Sequence, residues 1–404
     1  MLQKGEFYRM ILPKGVEFII ERLEKNNHRA DIVGGCVRDF LLLKEPNDYD
    51  VTTDATPEEM REIFTDVKTI DTGIKHGTLT VIYEDEPYEI TTYRLDGEYS
   101  DNRHPDSVSF TRKLSDDLSR RDFTVNAMCY NHKDGLTDLF SGKEDLEKRI
   151  IRAVGEPEKR FTEDALRILR ALRFAATLDF SIEEKTSLAI HKTAHLLEYV
   201  SKERIYTEWR KLISGIGAYK ILFEYADVIA TIIPEISGFR LPKKNTFDET
   251  DGNIRELSLF VLSDNNEAHN LFSQAMMALK SDNRHRIFGK TVLEHLNMKT
   301  ETVSELTHLL IECGEECALG VLDLKILLGI GNCNSKNTLK ELLKNGVCYR
   351  ISDMRISGND LLELGIKGKL IGETLNKLLY LIADGKLEND REMLIDFVAR
   401  EAVN

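Results

Sequence analysis

A chain of 404 residues with 42% hydrophobic and 31% charged residues can bury a real core, and its length predicts more than one domain. No apolar run approaches the ~18 residues that a membrane span needs, and charges scattered through the opening MLQKGEFYRMILPKGVEFIIERLEKNN predict an amphipathic helix instead of a signal peptide, so a cytoplasmic protein is expected. The net charge of −14 speaks against a nucleic-acid partner at first sight, yet residues 143–220 hold 16 Lys/Arg against 13 Asp/Glu, and charge acts locally.

Along the first 140 or so residues, ADIVGG (30–35), YDVTT (49–53), TLTVIYE (78–84), YEITTYR (88–94) and SVSF (107–110) predict strands. They are rich in Val, Ile, Thr and Tyr, with Gly, Asp or Pro near their ends. CVRDFLLL and TPEEMREIF predict helices between them, the latter with Thr56 as N-cap and Pro57 at the first helical position. After Gly142 the strand signal all but vanishes. Helices are predicted from there to Asn404, broken at GEPEKR, SGIGAYK, LPKKNTFDETDGN and the glycines of ISGNDLLELGIKGKLIGETL. Only Pro157, Pro234 and Pro242 lie in that stretch, as a helical bundle requires.

The stretch IVGGCVRDFLLLKEPNDYDVTT (32–53) carries the most chemistry. A strand enters Gly34-Gly35, where missing side chains let backbone N–H groups approach a ligand. The helix that follows points its N-terminus at the same turn and favours phosphate there. Arg38, in the first turn, adds a fixed fork for a phosphate. Asp48 and Asp50 are expected two apart on a strand, with both side chains on one face. Carboxylates that close repel unless a cation bridges them, and hard oxygen ligands suit Mg²⁺. Glu89 is the candidate third acid, because Tyr88 and Ile90 would face the opposite side. The chemistry implied is two-metal transfer, one ion activating an attacking oxygen and the other holding a nucleotide's phosphates and leaving group.

FTEDALRILRALRF (161–174) predicts a helix with Thr162 available as N-cap. Asp164 and Arg167 are i, i+3 and would share a face, with Arg170 and Arg173 continuing a stripe. A surface salt bridge there would contribute under about 1 kcal/mol. As a functional pair it says more: a carboxylate only accepts hydrogen bonds and a guanidinium only donates them. Side by side they match the amine and bare ring nitrogen of cytosine or adenine, and they mismatch guanine and uracil. Six cysteines are too few for a disulfide framework. Interior free thiols are a simpler reading of Cys313, Cys317, Cys333 and Cys348 than a zinc site.

GGCVRDFLL, NDYD, DLSRRDFTVNAM (117–128), LTDLFSGKEDL (136–146) and EDALRILRALRF (163–174) together resemble the bacterial class II CCA-adding tRNA nucleotidyltransferases, and are shared with bacterial poly(A) polymerases. GIKHGTLTV, YEITTYR and RHPDSVSF fall between them in order. The resemblance implies an α+β head of the polymerase β-like nucleotidyltransferase kind, a mixed sheet with helices, followed by an all-α neck, body and tail. The expected bounds are 1–142, 143–215, 216–350 and 351–404. It implies that Asp48 and Asp50 hold Mg²⁺ with Glu89 as third acid, and that Gly35, Arg38 and Arg121 line the nucleotide. Asp122 would orient the local network. Asp164 and Arg167 would read the base, with Arg170 and Arg173 beside it.

LDGEYSDNRHPDSV after Arg94 resembles the loop on which the switch from C to A addition depends, and Asp138 and Gly142 fall in the motif linking head to neck. The substrates implied are CTP, ATP and the 3′ end of tRNA, with no membrane and no obligatory protein partner. A poly(A) polymerase, a CC- or A-adding specialist and a catalytically dead RNA-binding module are the competing readings.

Overall fold

The computed structural model describes residues 10–71, 73–97, 108–264 and 267–401. Residues 1–9 of the predicted opening helix, and 98–107 of the loop segment, lie outside them. The chain forms two compact units, Met1–Ile232 and Ile233–Asn404.

In the first unit, helix α1 (Lys14–Lys25) precedes strand β1 (Ala30–Val33), helix α2 (Gly35–Leu41), β2 (Asp50–Thr53) and α3 (Pro57–Ile63). Then come β3 (Thr69–Ile70), β4 (Thr78–Tyr83), β5 (Glu86–Thr92), β6 (Arg94–Asp96) and β7 (Val108–Phe110). Seven strands of the head make one mixed sheet, in the order β3-β4-β5-β2-β1-β8-β9, where β8 is Met128–Asn131 and β9 is Gly135–Asp138. Only β2 and β5 pair in parallel; the other neighbours are antiparallel. Helix α3 starts as its sequence predicts: the Thr56 hydroxyl accepts from Glu59 N–H, the Glu59 carboxylate answers Thr56 N–H, and Pro57 opens the helix.

Alternation sets the two faces of the sheet. Ile32, Val51 and Ile90 are fully buried in register on one face, where α1 lies with Gly15 against the Tyr88 ring. Asp50, Thr52 and Glu89 therefore project from the other face. The hairpin β8–β9 is not among the predicted strands. Its strands are four residues long, and β8 is buried on both faces, so it lacks the alternation that marks a strand in sequence.

Helix α4 (Leu114–Ser119) leads into β8, and α5 (Gly142–Lys148) leaves β9. Asp138 carboxylate oxygens accept from the N–H groups of Gly142 and Lys143 at 2.8 and 2.9 Å, which fixes that exit. A Cβ added at Gly142 would stand 2.2 Å from the Thr124 carbonyl oxygen. Backbone cannot yield cheaply, so Gly142→Ala is expected to destabilise the first unit by about 2–3 kcal/mol, read as a lower denaturant midpoint.

From there the described residues are mainly helical, with one pair of short strands at Ile150–Ile151 and Ser181–Ile182. Helices α6 (Pro157–Glu163), α7 (Leu166–Leu178), α8 (Glu184–Thr193), α9 (Lys202–Ile213), α10 (Ala218–Glu224) and α11 (Ala226–Ile232) complete the first unit. Residues 161–174 are thus not one helix. The chain leaves helical geometry at Asp164 (φ −139°, ψ 102°), and Thr162 is no N-cap, its hydroxyl bonding the Glu158 carbonyl inside α6.

In the second unit, Val303–Leu328 opens with a Thr302–Glu305 capping box and is broken at Gly314, whose φ is 73°. Cys348, Leu361, Leu378, Leu379, Leu394 and Val398 centre one of its apolar clusters. All six cysteines are free, with Cys333 exposed. Among the described residues no helix is long and apolar enough to cross a membrane.

Candidate functional site

Asp50 is the first residue of β2, while Asp48 stands just before the strand, not on it as the sequence suggested. Both carboxylates reach solvent. Asp50 nevertheless sits against enough protein that its carboxyl is pushed above the usual range, first by burial, then by the charge of Asp48, with Glu89 adding to it and Arg121 opposing. Glu89 is on β5, which lies inside the sheet next to β2, so it is no edge-strand residue. Asp50, with Asp48 and Glu89 close enough to raise its pKa, presents a set of hard oxygen donors whose mutual repulsion a divalent cation would relieve. The three are not already drawn together: among the described residues no group of three His, Cys, Asp or Glu is gathered as a ready cage.

Gly34 turns the chain from β1 into α2 with φ 85° and ψ −125°, a conformation that suits glycine. The Arg121 guanidinium lies over it, Nη1 being 3.1 Å from where a Gly34 Cβ would stand. Arg121 thus stands at the turn, and its charge also acts on the Asp50 carboxyl. Gly35 is the first helical residue, and Arg38 lies 3.8 Å from its would-be Cβ. The Arg38 guanidinium is held by Asp39 and by Asn126 Oδ1 at 2.8 Å.

Asp122 is a buried node. One oxygen accepts from Phe123 N–H and the Asn126 amide; the other accepts from Arg170 Nε at 2.8 Å. Burial raises its carboxyl pKa, but the Arg170 charge and these hydrogen bonds outweigh burial and hold it at about 2. A depressed acid stabilises the fold above its unfolded pKa of about 3.9, and that share disappears as pH falls toward 2. Asp122→Asn is therefore expected to cost about 2–3 kcal/mol at pH 6 and little near pH 2, measured by denaturant unfolding of both proteins across that range.

Phe174 on α7 joins the arginines. Arg38, Arg170 and Arg173 stand 5.1, 5.3 and 3.7 Å from its ring centroid. Arg173 also pairs with Glu208 of α9 at 2.6 Å.

Arg167 N–H donates to the Asp164 carbonyl at 3.0 Å, but the two side chains do not bond to each other. Asp164 lies in the break between α6 and α7, where Oδ1 accepts from Leu166 N–H and Oδ2 from Arg204 Nη2 at 3.0 Å. Arg167 is only 9% exposed. Its guanidinium donates to Glu163 at 2.8 Å and to the carbonyls of Arg160 and Arg120. The pair expected to share one helix face is thus two separately braced groups at a helix junction. Sequence reasoning missed the braces: Glu163, Arg204, Glu208, Asn126 and Phe174. Glu163, Asn126 and Phe174 stood within the quoted motifs, but nothing in a single sequence says which neighbour a guanidinium chooses.

The Poly A polymerase head domain family matches residues 30–152, and the Probable RNA and SrmB-binding site of polymerase A matches 179–237. The family described as tRNA nucleotidyltransferase domain 2, putative, matches 256–398. The chain is 38% identical to the CCA-adding enzyme of Ligilactobacillus salivarius over 395 residues, covering 94% of each chain. It is 36% identical to that of Enterococcus faecalis over 398 residues, 95% of each. It superposes on the Bacillus stearothermophilus CCA-adding enzyme in complex with CTP with a TM-score of 0.80 at 30% identity, covering 96% of this chain and 97% of that one.

Proposed function

The chain belongs to the CCA-adding enzymes, and from that premise we propose that it adds C, C and A to the 3′ end of tRNA, using CTP and ATP and no nucleic-acid template. The observation that carries the reading is the presence, in the first unit, of Asp50 within the electrostatic reach of Asp48, Glu89 and Arg121, with Arg121 also over the Gly34 turn and Arg167 bonded to the Arg120 carbonyl next to it.

The reaction is attack of the tRNA 3′-hydroxyl on the α-phosphorus, with pyrophosphate leaving. Asp48 and Asp50 would hold Mg²⁺, with Glu89 as the third acid, since hard carboxylate oxygens suit that ion. When bound, the ion supplies charge neutralisation at the phosphates and lowers the pKa of the attacking hydroxyl. Arg121, Arg38 and the backbone at Gly35 receive the triphosphate. Asp164 accepts from the exocyclic amine of the base and Arg167 donates to its ring nitrogen, so C and A fit and U and G meet like against like. Arg170 and Arg173, stacked at Phe174, flank the nucleotide. Residues 1–142 act as the catalytic head, 143–215 as the base-reading neck, and 216–350 and 351–404 as body and tail that hold tRNA by shape and phosphates. Such an enzyme works where tRNA matures, in the cytoplasm.

The test is incubation with tRNA ending before the CCA, CTP, ATP and Mg²⁺, followed by sequencing of the new 3′ end. CCA is expected. A poly(A) tail, CC alone or A alone would replace this reading with the corresponding relative, and no extension would end it.

A further inference from the structure

Resting on the nucleotidyl-transfer reading above, we propose that Asp117 is a positioning residue that sets the phosphate-facing Arg121 and the base-facing Arg167 relative to each other. Asp117 lies on α4 and is fully buried, an unusual place for a carboxylate. Its Oδ1 accepts from Arg120 Nε at 3.0 Å and Nη2 at 2.7 Å. Its Oδ2 accepts from Arg121 Nη2 at 3.3 Å and faces the Thr52 hydroxyl at 3.5 Å. Thr52 follows Asp50 by two residues on the same strand and projects from the same face.

Two paths leave this carboxylate. Through Arg121 it reaches the Gly34 turn, where Nη1 stands 3.1 Å from the would-be Cβ. Through Arg120 it reaches the base-reading group, because the Arg120 carbonyl accepts from Arg167 Nη2 at 3.1 Å. Arg120 is pinned at both ends, its side chain by Asp117 and its carbonyl by Arg167, so the carboxylate governs where that carbonyl stands.

A buried ion cluster contributes little net stability, since desolvation consumes most of its Coulombic gain. What it does supply is orientation, because a planar guanidinium bonded at two nitrogens has little freedom left. Burial raises the Asp117 carboxyl pKa, but the charges of Arg120 and Arg121 prevail and keep it low, so the carboxylate stays ionised in this setting.

The experiment uses the full chain with tRNA ending before the CCA and measures two quantities for each variant: KM for CTP, and the ratio of C to U incorporated. Asp117→Asn is expected to raise KM for CTP about tenfold or more and to lower the C-over-U ratio by a similar factor, because both arginines lose a charge-assisted partner. Arg120→Met, which leaves the Asp117–Arg121 contact in place, is expected to lower the C-over-U ratio while KM moves by less than about threefold. A merely structural Asp117 would change neither quantity, since both are independent of the folded fraction. Asp117→Asn with wild-type KM and wild-type C-over-U ratio overturns the proposal. If that variant does not fold, Arg120→Met decides alone: an unchanged ratio overturns it. Failure of the wild-type protein to extend tRNA sinks the functional reading instead, so the two failures are told apart.

Discussion

Asp48→Ala and Asp50→Ala should each lower nucleotide addition by about a thousandfold or more, matching the several kcal/mol that a held cation contributes to such a transfer. tRNA affinity should stay within about twofold, because tRNA is gripped through its phosphates and not by acids. Single-turnover extension with CTP, beside filter binding of the same tRNA, separates the two quantities. A variant retaining a tenth of wild-type turnover would remove these acids from the chemistry. The electrostatics add a second, opposite expectation. Burial and the neighbouring Asp48 raise the Asp50 carboxyl, so above the usual carboxylate range its charge is a burden on the folded state without metal. Asp50→Asn should therefore melt no lower than wild type in the presence of a chelator, the familiar exchange of stability for function.

Arg167→Ala should reduce incorporation of both C and A, and blunt selectivity over U by about ten- to a hundredfold, since a charged hydrogen bond to the base is worth roughly 1.5–3 kcal/mol. The structure changes how this must be read. Arg167 also ties Glu163 and the carbonyls of Arg160 and Arg120 together, so its loss will lower stability as well as selectivity. The ratio of C to U incorporated cancels the folded fraction and isolates the effect on base choice. Equal ratios in wild type and variant would place base choice elsewhere. Exchanging the two charges, Asp164→Arg with Arg167→Asp, is a harsher change than the sequence suggests, because the new carboxylate would meet Glu163 and the new guanidinium Arg204.

Much of this could be read from the chain. β1, β2, β4 and β5 announced themselves through β-branched runs, and α3 through Thr56 and Pro57. The order of motifs singled out Asp48, Asp50, Gly35, Arg121 and Arg167 as candidates. What failed was local continuity. Periodicity cannot distinguish a helix from two helices separated by one extended residue, and Asp164 is that residue. Nor did β8 stand out, because a strand of four buried residues has no polar face. The brace on Asp164 comes from Arg204 of α9, 40 residues away, and the braces on Arg167 depend on which nearby carboxylate and carbonyls its guanidinium meets.

The place of β8 in the sheet has a consequence for the order in which the protein can be built. β8 pairs with β1, the Asn131 amide donates to the Asp31 carboxylate 100 residues upstream, and Gly34 N–H donates to the Met128 carbonyl. The Gly34 turn is thus held by a strand synthesised long after it. A nascent chain halted before residue 128 carries Asp48, Asp50 and Glu89 yet lacks the partner that fixes Gly34, so the catalytic head must wait for its closing strand. Non-local pairing of this kind is slow, because loop closure comes before the contacts that reward it. The helices of the second unit close largely on near neighbours. In refolding from denaturant, amide protection should therefore arise in the second unit before it reaches Gly34.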